Sequence, residues 1–137
     1  MLTPFKNNGD IDHDILTQLT EIYLKAGAAG LFANCLSSEM FELEDGEKIQ
    51  AIKQVIKTAG GAVPVVATGT FGGPIGKQAD FIKRVHDAGA DAVIMITGLL
   101  AGADESDEVF NGRVFELLDL TDNIPLGFYE CPVPYKR

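Results

Sequence analysis

Tryptophan is absent from this sequence of 137 residues, and cysteine occurs only twice. Basic residues are also few, with 11 lysines and arginines against 20 acidic residues. Two cysteines are too few for a disulfide-built secreted domain, so a reducing cytoplasm is the expected compartment. The formal net charge of −9 argues against nucleic-acid binding, because neutralising phosphates requires clustered lysine and arginine. The same charge argues against docking on an anionic membrane surface.

Long hydrophobic runs are also lacking. The longest weakly polar stretch, Ala92–Ala103, falls well short of the ~20 residues that span a membrane. The first ten residues contain no apolar core of a signal peptide. With 46% hydrophobic residues, the composition is that of a globular protein, and the length suits one domain of ~100–150 residues. The sequence therefore predicts a single cytoplasmic domain over residues 1–137 that binds neither nucleic acid nor membrane.

One pattern occurs four times: an amphipathic segment, a residue that tolerates left-handed backbone, and then a continuous apolar run. It predicts helices over Asp12–Ala26, Glu44–Ala59, Lys77–Ala88 and Asp107–Leu120, and strands over Gly30–Asn34, Val63–Thr68, Ala92–Thr97 and Ile124–Glu130. Met1–Phe5 is expected to be the end of one further strand. Helices that alternate with buried strands at a spacing of roughly 30 residues indicate an α/β fold with a parallel sheet.

Two architectures suit such a sheet. A complete (β/α)8 barrel of the TIM type takes ~250 residues, which is about twice the length available here. An open, flavodoxin-like sheet of five strands fits the length better, but its last strand is normally covered by a helix. The final residues CPVPYKR contain two prolines, which oppose a helix there. The chain ends therefore favour a partial TIM barrel that carries roughly strands 1–5.

Short motifs in a fixed order identify a family. They are Thr3-Pro4-Phe5, Asn7-Asn8-Gly9, Ala26-Gly27, Glu39, Val63-Pro64-Val65-Val66-Ala67, Ala88-Gly89-Ala90-Asp91-Ala92, Ile124-Pro125, Tyr129 and Pro132. In this order and spacing they resemble the first half of the dihydrodipicolinate synthase / N-acetylneuraminate lyase family of class I aldolases. The resemblance covers essentially the whole chain.

The resemblance implies a reaction as well as a fold. In this family a lysine on the sixth barrel strand forms a Schiff base with pyruvate or another 2-oxo acid, without a cofactor or metal, in enzymes that tend to be tetramers. Tyr129, which ends the fifth strand, is the implied proton relay. Ser37 and Ser38, in the loop after the second strand, are the implied ligands of the substrate carboxylate. From position alone, Tyr129 is better explained as a buried tyrosine with one satisfied hydroxyl, and the family match reverses that preference. Ser37 and Ser38 are equally well explained as a polar turn before a helix.

Three departures from the family pattern bear on the reaction. Leu36 stands where the family has a threonine, while Cys35 and Ser38 replace glycines. Leu99 and Leu100 stand where synthases carry tyrosines, one of which relays protons in a neighbouring subunit. Synthases also place an arginine at the position of Pro134. These changes argue against the lysine-biosynthetic reaction and favour a family member with a different electrophile, or with none.

No lysine ends an apolar strand. Six of the eight lie in predicted helices, Lys6 lies in the opening turn, and Lys136 lies in the final segment. Since the family's Schiff-base lysine belongs to the sixth strand, we expect a fragment that lacks this amine and is inactive alone. Two alternatives stay open: a non-catalytic open-sheet binding module, and an inert half-barrel that pairs with a second copy to cover its edges.

Other candidate residues carry weaker signals. Cys35 and Cys131 both lie at predicted strand ends, so they are expected to face one pocket as small buried residues. The segment Gly69-Thr70-Phe71-Gly72-Gly73 precedes a helix and is expected to line the barrel mouth, where it suits an anion. His13 and His86 fall on predicted helices without the spacing of a metal site, so we expect them at the surface.

Overall fold

The computed structural model describes residues 1–131, in which four helices alternate with four strands. The helices are α1 (His13–Lys25), α2 (Asp45–Ala59), α3 (Ile75–Asp87) and α4 (Asp107–Thr121), and the strands are β1 (Leu31–Ala33), β2 (Val65–Thr68), β3 (Ala92–Ile96) and β4 (Leu126–Tyr129). The eight elements of the repeating pattern are thus confirmed, each within two residues of its predicted bounds. The features noted at Pro132, Pro134 and Lys136 lie outside the described residues.

The helices begin where local side chains satisfy their free N–H groups. Asp12 precedes α1 and accepts a hydrogen bond from the Ile15 N–H at 3.0 Å. Before α2, the Glu44 N–H donates to the Glu47 carboxylate at 2.8 Å. Helix α3 begins two residues earlier than predicted, because Pro74 supplies the extended residue from which the helix starts. Among residues 1–131, no helix is long and apolar enough to cross a membrane.

The strands pair in chain order, β1-β2-β3-β4, and all three pairings are parallel. An open doubly wound sheet reverses its strand order at a switch point, and the described sheet has no such reversal. Right-handed crossovers between strands in chain order place every helix on the same face of the sheet, as in a barrel. The structure is therefore an α/β fold of the TIM-barrel type, truncated, and the flavodoxin-like alternative is wrong.

The prediction of a further strand at Met1–Phe5 is also wrong. The segment makes one isolated antiparallel bridge between Phe5 and Ile11. A turn between them causes this, because the Lys6 N–H donates to the Asp10 carbonyl at 2.8 Å and folds the segment back on itself. The described sheet consequently has four strands.

The two faces of the sheet differ in burial. Leu31, Ala33, Val65 and Ala67 are buried in the core beneath the helices, whereas Phe32 and Val66, which alternate with them, are only half-buried. On this second face the Phe32 and Tyr129 rings meet edge to face, with centroids 5.4 Å apart. Three strand spacings of ~4.8 Å would separate β1 from β4 by ~14 Å in a flat sheet. The sheet is therefore curved, and this face is concave.

Two glycine substitutions test the packing. Gly112 lies at an exposed position inside α4, where an added Cβ would meet nothing within 4 Å. Gly112→Ala should stabilise the fold by ~0.5–1 kcal/mol, because alanine has the better helix propensity. Urea denaturation followed by circular dichroism measures the change.

Gly69→Ala is the matched variant, and it should lower the free energy of unfolding instead of raising it. Its Cβ would overlap Cγ1 of Val93 and crowd Ile82, so it should cost ~1–3 kcal/mol. Equal effects of the two alanines would contradict the packing described here.

Candidate active-site mouth

Polar side chains gather where the four strands end. Asn34 directly follows β1, Thr68 ends β2, Thr97 directly follows β3, and Tyr129 ends β4. Because the strands are parallel and the sheet is curved, these four residues, called here the strand-end mouth, share one edge of the concave face. The carboxyl ends of the strands are the catalytic face of barrel enzymes.

Tyr129 lies at this mouth with its side chain half-buried. Its backbone carbonyl accepts a hydrogen bond from the Thr97 hydroxyl at 3.3 Å, and its ring packs against Phe32. The pKa of the phenol is raised above its usual value by burial first, and then by the Cys131 and Cys35 thiols beside it. Tyr129 is therefore a protonated phenol at neutral pH, able to donate a hydrogen bond or pass on a proton.

Both cysteines are buried, as expected, and neither forms a disulfide. Both act to raise the pKa of the Tyr129 phenol, and the expectation that they face one pocket stays a prediction. Burial acts to raise the pKa of the Cys35 thiol, but neighbouring groups outweigh it and hold the pKa below its usual value. These groups are the Ser37 hydroxyl and the Met1 ammonium, each 3.2 Å from the sulfur. Cys35 is thus more readily ionised than an ordinary thiol.

The hydroxyls of Ser37 and Ser38 are engaged within their own loop. Both residues belong to a short 3-10 helix that spans Leu36–Ser38. The buried Ser38 hydroxyl donates to the Cys35 carbonyl at 2.6 Å, and the exposed Ser37 hydroxyl donates to the Met1 carbonyl at 3.1 Å. The role of these serines in binding a carboxylate stays a prediction.

Two residues that the sequence analysis passed over have unused hydrogen-bonding capacity. The register pairs Ala33 with Ala67, so the next residues, Asn34 and Thr68, are neighbours across β1 and β2. Both are at least 95% buried, yet in the described part of the chain neither Asn34 amide atom nor the Thr68 hydroxyl has a hydrogen-bond partner. Each such group costs ~1–3 kcal/mol until a partner arrives. Their signal in the sequence was a polar residue at the end of an apolar run.

Among residues 1–131, one lysine is buried, Lys48. Lys48 lies in the first turns of α2, where its Nζ pairs with the Asp45 carboxylate at 3.4 Å. The same atom lies 4.3 Å from the centroid of the Phe71 ring, a cation–π contact that also stabilises the charge. Lys48 therefore links the start of α2 to the loop after β2. Within residues 1–131, no three histidine, cysteine or acidic side chains are grouped to hold a metal ion.

Comparison with known proteins places this chain in a family. The sequence profile of the dihydrodipicolinate synthetase family matches residues 1–105. The chain belongs to this family. The resemblance noted in the sequence is thereby confirmed, as is the lyase character of the family.

Relatives in the dihydrodipicolinate synthetase family differ in the reactions for which they are named. The chain is 32% identical over 129 residues to a probable 5-dehydro-4-deoxyglucarate dehydratase of Streptomyces avermitilis, covering 94% of this chain and 38% of the relative. It is 34% identical over 97 residues to the 4-hydroxy-tetrahydrodipicolinate synthase of Bacillus subtilis, covering 71% of this chain and 33% of the relative. The chain thus spans less than half the length of the relatives it matches.

Solved structures of the family share the fold. The dihydrodipicolinate synthase of Acinetobacter baumannii, complexed with pyruvate, superposes with a TM-score of 0.86 at 25% identity, over 96% of this chain and 44% of that one. The N-acetylneuraminate lyase of Mycoplasma synoviae superposes with a TM-score of 0.79 at 21% identity, over 97% of this chain and 45% of that one. The described strands and helices therefore correspond to part of the family barrel.

Replacing Cys131 by serine tests the electrostatics of the mouth. Cys131 acts to raise the pKa of the nearby Tyr129 phenol, and serine carries no charge that could do the same. Cys131→Ser should therefore lower the pKa of Tyr129 relative to the unmodified protein. Cys35→Ser is the matched variant, with a smaller downward shift because Cys35 has the weaker influence on the phenol. Titration of tyrosine labelled with 13C at Cζ, followed by NMR, measures both shifts, and an upward shift in Cys131→Ser would refute the arrangement.

Proposed function

We propose that this chain supplies part of the active site of a class I lyase that acts on pyruvate or another 2-oxo acid through a Schiff base. The observation that carries the proposal is Tyr129, a phenol held neutral at the strand-end mouth. It occupies the position that the family resemblance assigns to the proton relay. The relative from Acinetobacter baumannii binds pyruvate, which supports this class of substrate.

The substrate carboxylate needs hydrogen-bond donors, and the strand-end mouth has two donors without a partner among the described residues. The Asn34 amide and the Thr68 hydroxyl lie on neighbouring strands with no partner in the described part of the chain. We assign the carboxylate, or a water that bridges to it, to this pair. Ser37 contributes as a third donor when its hydroxyl exchanges the Met1 carbonyl for substrate, and Ser38 holds the loop through the Cys35 carbonyl.

The Schiff-base amine is assigned to polypeptide outside this chain. The seven lysines of the described residues lie on helices or in the opening turn, and Lys48, the buried one, is engaged by Asp45. A Schiff base needs a deprotonated amine at the mouth. The chain alone is therefore inactive in this proposal, and the complete cytoplasmic enzyme is a homo-oligomer.

The electrophile differs from that of the synthases. Leu99 and Leu100 occupy the positions at which synthases carry tyrosines, and leucine passes on no proton. Two relatives that match this chain are named probable 5-dehydro-4-deoxyglucarate dehydratases, and a dehydration needs no second organic substrate. These points support a reaction in which the 2-oxo acid either meets another aldehyde or reacts without a second substrate.

An inert half-barrel that pairs with a second copy is the second candidate. Large apolar side chains are exposed at the end of the sheet formed by α4 and β4, with Phe115 65% exposed and Phe128 58% exposed. A second copy seated there would remove both from water. The inert half-barrel requires that the purified chain is a dimer in sedimentation and that this dimer binds no pyruvate. The lyase proposal requires that the chain binds pyruvate.

Thr68→Val tests the carboxylate assignment, because it should raise the stability of the fold and weaken pyruvate binding. It replaces an unpartnered buried hydroxyl with a methyl group, so the free energy of unfolding should rise. Pyruvate binding, followed through the Tyr129 ring signals in NMR, should weaken by about ten-fold, the worth of one hydrogen bond.

Thr70→Val is the matched control. The Thr70 hydroxyl accepts a hydrogen bond from the Ile96 N–H at 2.8 Å, so valine there should destabilise the fold. Unchanged pyruvate binding in Thr68→Val would contradict the assignment.

Reduction by borohydride in the presence of 13C-labelled pyruvate tests the missing amine. Intact-mass spectrometry should find no adduct on this chain, while the full-length Bacillus subtilis synthase, treated in parallel, should gain one. An adduct on any of the eight lysines of this chain would refute the proposal.

A further inference from the structure

A cavity of about 510 Å³ lies beside the strand-end mouth. One wall is the loop after β2 with the start of α3, residues 71–75, and the other is the segment after β3, residues 99–102. Gln78 and Arg113 complete the lining. Phe71 and Leu99 separate the cavity from the mouth, because both also pack on the small apolar cluster that Tyr129 contacts.

The N-terminus of α3 meets this cavity at Ile75. Pro74 precedes the helix and has no side chain that caps it, and the first bond of the helix joins the Gln78 N–H to the Pro74 carbonyl at 3.2 Å. The first three N–H groups of a helix have no partner within it, and its dipole favours an anion at this end. The helix has 13 residues, so this preference is fully developed.

Gln78 is an independent sign of a ligand. Its side chain lines the cavity although the residue is only 4% exposed. The Nε2 group donates to the Gly73 carbonyl at 3.0 Å, which fixes the orientation of the amide. The buried Oε1 atom has no partner among the described residues. A buried acceptor without a donor lowers the stability of the fold by ~1–3 kcal/mol, and a hydroxyl or N–H group that donates to Oε1 would remove this cost.

The remaining walls define the shape of the ligand. Gly72 and Gly73 both have left-handed backbone, with φ of +86° and +85°, and a Cβ on either would meet nothing within 4 Å. The guanidinium of Arg113 is held by both carboxylate oxygens of Glu105, at 2.6 and 2.7 Å, so its charge is already paired. The attraction for an anion therefore comes from the helix, while Phe71 and Leu99 offer apolar surface to a short carbon chain.

We propose that this cavity binds a small hydroxycarboxylate, with its carboxylate at the N-terminus of α3 and its hydroxyl donating to Gln78 Oε1. A ligand with only a carboxylate would leave Gln78 Oε1 without a donor, and a ligand with only a hydroxyl would leave the N-terminus of α3 without an anion. The site is separate from the strand-end mouth, and the proposal does not depend on the proposed lyase function.

Three probes of similar size test the two halves of this recognition. Glycerate carries both groups, propionate lacks the hydroxyls, and glycerol lacks the carboxylate. In 15N-labelled protein, glycerate should shift the amide signals of Ile75, Gly76 and Gly102 in a saturable way. Propionate and glycerol should each bind about ten-fold more weakly, as the loss of one hydrogen-bonded group implies.

Gln78→Met removes the acceptor with little change of volume and should abolish the preference for glycerate over propionate. Gln18→Met, at an exposed position of α1, is the matched control and should leave the preference intact. Equal binding of the three probes by the unmodified protein would overturn the proposal, whatever the folding of the variants. Glycerate shifts centred on Asn34, Thr68 and Tyr129 would overturn it as well, since they would place the ligand at the mouth.

Discussion

The edge-to-face contact between Phe32 and Tyr129 depends on a strongly curved sheet. These residues lie on the outermost strands of the described sheet, yet their ring centroids are 5.4 Å apart. Curvature of this kind follows from parallel strands that pair in chain order with all crossover helices on one face. The helix side carries the buried core, and the opposite side becomes a concave surface with half-buried side chains. The chemistry proposed for this chain relies on that surface.

Curvature also brings together groups that are far apart in the chain. Cys35 follows the first described strand and Cys131 follows the last, and both act on the Tyr129 phenol. The same edge holds the Asn34 amide and the Thr68 hydroxyl, buried without partners in the described part of the chain. Unsatisfied buried groups of this kind lower the stability of the ligand-free fold and favour a bound substrate. In the function proposed above, this half of the site binds the substrate carboxylate, while the amine that would attack the neighbouring 2-oxo carbonyl is assigned to other polypeptide.

Much of the fold could be predicted from the sequence, because each helix and strand has a pattern within its own residues. Apolar residues at helical spacing, a left-handed residue such as Gly60 or Gly89, and a continuous apolar run recur four times. Met1–Phe5 was misassigned because its apolar residues suit a strand, whereas the turn before Asp10 folds it back toward Ile11. The open-sheet alternative was eliminated only by the strand order, which no local pattern encodes.

The site was less predictable than the fold, for a physical reason. The sequence shows that Ser37, Ser38 and Thr68 have hydroxyls, but not which hydroxyl already has a partner. In the structure both serines are engaged by backbone carbonyls, whereas Thr68 is not. Gln78 is a similar case, since only the packing of α3 against its loop shows that Oε1 is left without a donor.

The curvature of the sheet can be measured directly by a nuclear Overhauser experiment on protein labelled only in its phenylalanine and tyrosine rings. The account predicts a strong cross-peak between the ring protons of Phe32 and Tyr129, because the two rings are in van der Waals contact. Absence of that cross-peak, in a protein whose other ring contacts such as Phe71 to Phe81 are observed, would show that the sheet is flat. The strand ends would then form no common mouth, and the assignment of Tyr129 to a substrate site would fall with it.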